Sequence, residues 1–139
     1  MTNTSDGEWH FIGKHSVRFE SPDLIFNRPD GDMTVEEHLQ LIKYVQSVPQ
    51  PKKGLFGLID AQKGGRVDPA AMKLPEAREH SRKHRAVAYF NATFYHRTVI
   101  ALFQRVNKLL KMAETDIPIK IFDTESEARA WIDKLRSQD

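Results

Sequence analysis

The sequence predicts a single α/β domain in which one four- or five-stranded mixed β-sheet carries about four helices. Three observations lead there. Strand-period and helix-period segments alternate along the whole chain. Two short uninterrupted apolar runs, residues 55–59 and 86–90, fit strands covered on both faces. From residue 34 onward single helices separate single strands, which requires crossovers and therefore parallel neighbours. A length of 139 residues suits one domain. Residues 1–8 are expected to be a flexible N-terminus and residues 9–139 the domain.

Trp9 and Phe11, then Val17 and Phe19, alternate with polar neighbours, as half-buried antiparallel strands do. Ser21-Pro22-Asp23 is turn chemistry, and Leu24-Ile25-Phe26 resumes an extended chain. Thr34 with Glu37 forms a capping box for the first helix, whose Val35, Leu39, Ile42 and Val45 recur at helical spacing. Pro49 and Pro51 end it. Residues 55–59 supply the central strand. Gly64-Gly65 reads as a flexible loop, and Asp68 caps a second helix with Pro69 in its first turn. Pro75 breaks or restarts that helix. After the strand at 86–90, Thr93 caps a third helix with Val99, Leu102, Phe103, Val106 and Leu110 on one stripe. Ile117, Ile119 and Ile121 alternate as a last strand, with Pro118 arguing for a sheet edge. Thr124 and Glu127 repeat the capping box. Ala128, Trp131, Ile132 and Leu135 then form the buried face of a closing helix.

Composition excludes several classes. Cysteine is absent, so there is no disulfide framework and no thiolate metal site or nucleophile. A formal charge of +2 gives no reason to expect a nucleic-acid partner. No apolar run approaches the roughly 18 residues of a membrane span. The first residues lack the basic start and apolar stretch of a signal peptide, so a cytoplasmic location is expected.

In α/β sheets ligands gather beyond the carboxyl ends of the strands, here residues 60–66, 91–93 and 122–124. Lys63-Gly64-Gly65-Arg66 could cradle an anion on backbone N–H groups but matches no phosphate-loop pattern, and a plain loop is the simpler reading. His80 and His84 lie four apart, yet four Arg/Lys surround them and a third ligand is missing. A solvated helix face is expected, without metal. The same stretch could dock an acidic partner. Phe94 and Tyr95 at a helix start either anchor a contact or lid the core. His96 with Asp60 lacks an orienting third group, so no catalytic residue is assigned.

Three segments resemble the STAS-like domains, the anti-sigma-factor antagonist fold, and specifically their divergent STAS/SEC14-like branch. They are Gly31-Asp32-Met33-Thr34-Val35-Glu36-Glu37, the strand end Leu58-Ile59-Asp60, and the run from Ile121 through Asp123, Thr124 and Ala128 to Trp131 and Ile132. The resemblance implies a small regulatory, signalling or interaction domain with no cofactor and no enzymatic activity. In phosphorylated relatives an Asp at the end of the central strand precedes a Ser or Thr. Asp60 matches the Asp, but residues 61–68 contain no hydroxyl, so the phosphate switch is not expected here.

The expected function is therefore a non-enzymatic protein-interaction domain. Its candidate partner-binding residues are Asp60, Lys63, Gly64, Gly65, Arg66, Asn91, Thr93, Phe94, Tyr95 and His96. The partner is a protein, with a homodimer as one form. The alternative is a SEC14-like carrier of an apolar small molecule or lipid, with Phe90, Phe94, Phe103 and Phe122 around a cavity.

Overall fold

Three antiparallel strands open the chain because their apolar residues alternate and tight turns join them. β1 (His10–Ile12), β2 (His15–Glu20) and β3 (Leu24–Arg28) pair in sequence. Gly13 sits at φ 59 in the first turn, a left-handed conformation that hairpins of this length need. The computed structural model describes residues 7–92 and 117–138, with Arg97, Thr98, Ile100, Ala101 and Arg105 in addition.

β4 (Gly31–Met33) leads into α1 (Val35–Ser47). Both halves of the expected capping box are present: Glu37 N–H donates to Thr34 Oγ1 at 3.1 Å, and Thr34 N–H donates to Glu37 Oε1 at 3.0 Å. β5 (Leu55–Asp60), β6 (Gly64–Val67), α2 (Pro69–Met72), α3 (Pro75–Arg82) and β7 (His84–Phe90) follow. Asp68 caps α2 through Ala70 N–H at 2.9 Å, and Pro75 restarts the chain as the first residue of α3. The third helix expected after Thr93 falls mostly outside the described residues; Arg97, Thr98, Ile100, Ala101 and Arg105 are helical. β8 (Ile119–Phe122) and α4 (Glu125–Arg136) close the chain, and α4 has its own capping box between Thr124 and Glu127.

The main sheet has six strands in the order β1-β2-β3-β5-β7-β8, antiparallel through β3 and parallel from β3 onward. The expected four or five strands were too few, because the N-terminal meander contributes three strands to the same sheet as the crossover units. β5 is internal and its residues 55–58 are buried, as two-sided apolar runs require. β8 is an edge strand, as Pro118 suggested. A second correction concerns Gly64-Gly65. They do not form a flexible loop; they belong to β6, which pairs parallel with β4. A Cβ on Gly65 would come within 2.7 Å of Asp32 N and Gly31 C, so glycine here allows two backbones to approach.

One face of the sheet packs on α1 through Val17, Phe19, Ile25, Leu41, Val45 and Leu55. The other packs on α4 through Leu24, Phe26, Phe56, Leu58, Ala128 and Ile132.

Candidate functional site

Parallel neighbours β3, β5 and β7 end on one side of the sheet, and there they bring together Arg28, Asp60 and Asn91. Asp60 Oδ1 accepts from Gln62 N–H at 3.1 Å and from Asn91 Nδ2 at 3.4 Å. Its Oδ2 lies 3.8 Å from Arg28 Nε, a loose pair in which the Asp60 side chain is 15% exposed and Arg28 53%. Ala61 N–H donates to the Phe90 carbonyl at 2.9 Å, fixing the turn out of β5 against the end of β7. Asn91 has φ 57, which a residue with a side chain adopts at a cost. Arg97 adds to this end: its guanidinium reaches Asp123 Oδ1 at 2.7 Å, and its Nε donates to the Ala92 carbonyl at 3.4 Å.

The Lys63–Arg66 segment is less of an anion cradle than its glycines suggest. Gly64 N–H donates to the Ala61 carbonyl, and Arg66 N–H donates to Asp32 Oδ1 at 2.8 Å. Gly31 N–H donates to the Lys63 carbonyl. These groups hold the β4–β6 ribbon. In the sequence Asp32 stands only within the Gly31–Glu37 segment of the family resemblance; its role becomes visible once the ribbon forms. Arg28 was missed because the residue after an apolar strand reads as ordinary surface. Thr93, Phe94, Tyr95 and His96 lie outside the described residues, as does Phe103.

The histidines depart furthest from expectation. His84 is not on a helix with His80; it begins β7, while His80 is in the last turn of α3. The rings of His80 and His84 are 4.7 Å apart, and His38 of α1 meets His80 edge-on at 6.3 Å. All three are half-buried rather than solvated. His84 Nδ1 pairs with the His80 carbonyl at 3.0 Å, and His38 Nδ1 is buried without a partner. Burial, aided by the neighbouring His84, His38 and Lys83 charges, depresses the His80 pKa to about 3. Burial also lowers His38 and His84. Among the described residues, no group of three or more His, Cys, Asp and Glu is placed to hold a metal ion.

Phe90 is buried against Phe26, ring centres 6.0 Å apart, and Phe122 leans on Trp131 at 5.7 Å. Both fill packing space. Two surface clefts lie elsewhere, one lined by Lys52, Lys53, Arg82 and Lys83 before β5, the other by Glu125, Arg129 and Asp133 on α4. No described helix is long and apolar enough to cross a membrane.

A mixed sheet with this order, covered by α1 and α3 on one face and α4 on the other, is the SpoIIAA-like fold, that of the STAS-like or anti-sigma-factor-antagonist-like domains. One solved structure that the chain is similar to is an uncharacterised protein of the DUF3478 family from Shewanella loihica PV-4, described as having a SpoIIAA-like fold. It superposes with a TM-score of 0.60 over 91% of this chain and 97% of its own, at 18% identity. No protein-family model matches the sequence, and no curated protein does.

Proposed function

We propose that this protein is a non-enzymatic interaction domain whose protein partner docks at the carboxyl ends of β3, β5 and β7. The observation that carries this reading is the Asp60 group. A carboxylate at the end of an internal strand is held by Asn91 in a left-handed conformation and faces an exposed Arg28 only loosely. Preformed polar groups on short turns above a rigid sheet favour recognition. The STAS-like fold agrees with such a role. Catalysis has little support: Asp60 has two hydrogen bonds and no nucleophile or base beside it among the described residues. The carrier reading is weaker, since Phe90 and Phe122 are engaged in packing.

Residues 61–68 carry no hydroxyl, so binding at this end is constitutive or set by abundance or a ligand rather than by a kinase acting on that segment. The test is site-specific photo-crosslinking in the source cells, with the crosslinker at Lys63 or, as control, at exposed Lys43 of α1. One protein should be captured from position 63 and not from 43. Asp60→Ala should abolish that capture while leaving the far-UV spectrum of a folded α/β domain, so that lost binding is distinguished from lost folding. Equal capture from both positions, or capture that survives Asp60→Ala, would refute the reading.

A further inference from the structure

Among the described residues β1 is the outermost strand of the main sheet on the hairpin side. Gly7 N–H donates to the Phe19 carbonyl at 2.9 Å, so the chain already runs along β2 before β1 begins. Ile12 pairs with His15 across the two-residue turn. Such a hairpin closes on a pair that exchanges both backbone bonds, and alternation then turns the N–H and C=O of the next residue, Phe11, outward. Natural edge strands are usually blunted by proline or by charge. Trp9-His10-Phe11-Ile12 carries no proline, lysine, arginine or carboxylate. Phe11 is the exposed large apolar residue of the described chain, 69% accessible.

The segment is complementary to itself. An antiparallel pair centred on Phe11 sets Phe11 against Phe11 and His10 against Ile12, while the turn residues Gly13 and Lys14 of one copy come alongside Trp9 and Glu8 of the other. In that register the two outward Phe11 backbones exchange bonds and their rings meet on one face. Two pairs of opposite charge flank the contact. We infer that β1 adds to β1 of a second copy about a two-fold axis at Phe11, joining two six-stranded sheets into one. A short edge with few bonds makes a small interface, so the dimer is weak and reversible. The inference uses none of the Asp60 group and stands apart from the docking proposal.

Sedimentation velocity on the full chain, from micromolar to near-millimolar concentration, tests it. The parent should pass reversibly from monomer to dimer. Phe11→Pro removes the outward donor and the ring, and should be monomeric throughout with an unchanged far-UV spectrum. Glu8→Lys and Lys14→Glu are exposed changes that leave the core alone. Each places like charges opposite one another twice and should weaken dimerisation several-fold, up to about tenfold. An equal mixture of the two single variants should recover parental affinity, because every flanking pair again joins opposite charges. A parent that stays monomeric at the highest concentration overturns the inference. So does a dimer indifferent to Phe11→Pro, or a mixture no better than its components.

Discussion

On the α1 face the sheet is buried mainly by aliphatic contacts around Val17, Ile25, Leu41, Val45 and Leu55, joined by Phe19 and Tyr44, with three half-buried histidines at the junction of α1, α3 and β7. On the α4 face the same sheet is buried by aromatic rings roofed with guanidinium groups. Arg18 and Arg129 lie 5.4 and 5.3 Å from the Phe26 ring centre, and Arg85 and Arg136 lie 5.0 and 5.5 Å from that of Phe56. Carboxylates hold Arg18, Arg129 and Arg136 in place, and Arg85 donates to the Leu135 carbonyl at 2.6 Å. Glu20 takes both terminal nitrogens of Arg129 at 2.8 and 3.1 Å and Arg18 Nε at 2.9 Å. Asp23 takes Arg136 at 2.6 Å. A closing helix whose buried residues are only Ala128 and Ile132 can therefore finish a broad sheet, because planar cations from β2, β7 and α4 itself extend the cover. The two faces should fail under different insults.

The largest effects come from adjacent residues that point to opposite faces. Leu55 and Phe56 are both fully buried. Leu55→Ala should cost about 2–5 kcal/mol and Phe56→Ala about 3–5 kcal/mol. Phe56→Ala also removes the ring beneath Arg85 and Arg136, so added salt should change its stability less than that of Leu55→Ala. Urea titrations of both variants at low and high salt measure this. Equal salt responses would mean that the guanidinium cover contributes nothing beyond apolar area.

Acid separates the faces by window. The ordinary value for His80 is 6.5, and burial lowers it to about 3 in the fold. Below pH 6.5 the unfolded chain takes up a proton that the folded chain refuses, so stability falls as pH falls toward 3. His38 and His84 shift in the same direction. Glu20 on the other face is lowered from 4.5, first by its hydrogen bond to Arg129. Its contribution is intact above 4.5 and is lost only as pH drops through the folded value. Loss between pH 6.5 and 4.5 therefore belongs to the histidine face. It should amount to at most about 1.4 kcal/mol per pH unit for each histidine. Replacing His80 with Gln should flatten the urea midpoint across that window. A slope unchanged by the substitution would break the assignment.

Much of this fold was legible in the sequence, and the reason is local. Thr34 with Glu37, and Thr124 with Glu127, satisfy backbone groups within one turn, so their signal needs no tertiary context. The apolar runs of β5 and β7 announced two-sided burial in the same way. What could not be read depends on pairing across distance. Gly64-Gly65 became a strand because Gly31 and Met33 lie alongside to pair with it. His80 and His84 fall in different elements, though in contact, because α3 ends at Arg82, so spacing by four no longer means one helical face. The Asp60 group shows both cases: Asp60 was visible as a strand end, whereas Arg28 and Asn91 join it only through the β3-β5-β7 order. Trp131 is a matter of degree. The helical pattern implies full burial, but it is half-buried against Phe122. Trp131→Ala should accordingly cost about 1.5–3 kcal/mol, below the usual range for a fully buried aromatic. A denaturant midpoint shifted as far as that of Phe56→Ala would place Trp131 in the core after all.

Arg129 offers the finest test of the contrast. It spans β2 and α4, pairing bidentately with Glu20 and through Nε with Glu125 at 2.8 Å. About a third of its side chain is exposed, so solvent screens these contacts and a full buried-pair energy does not apply. Arg129→Ala should cost about 1 kcal/mol, from the lost pair together with the lost cover over Phe26. Arg129→Lys keeps the charge but gives up the planar fork. If charge alone matters, the lysine variant should match the parent and converge with the alanine variant at high salt. If the flat guanidinium seals the ring, the lysine variant should lose nearly as much as alanine, and salt should not close the gap. The α4 face as described requires the second result. Parental stability in Arg129→Lys would reduce its cover to ordinary surface ion pairs.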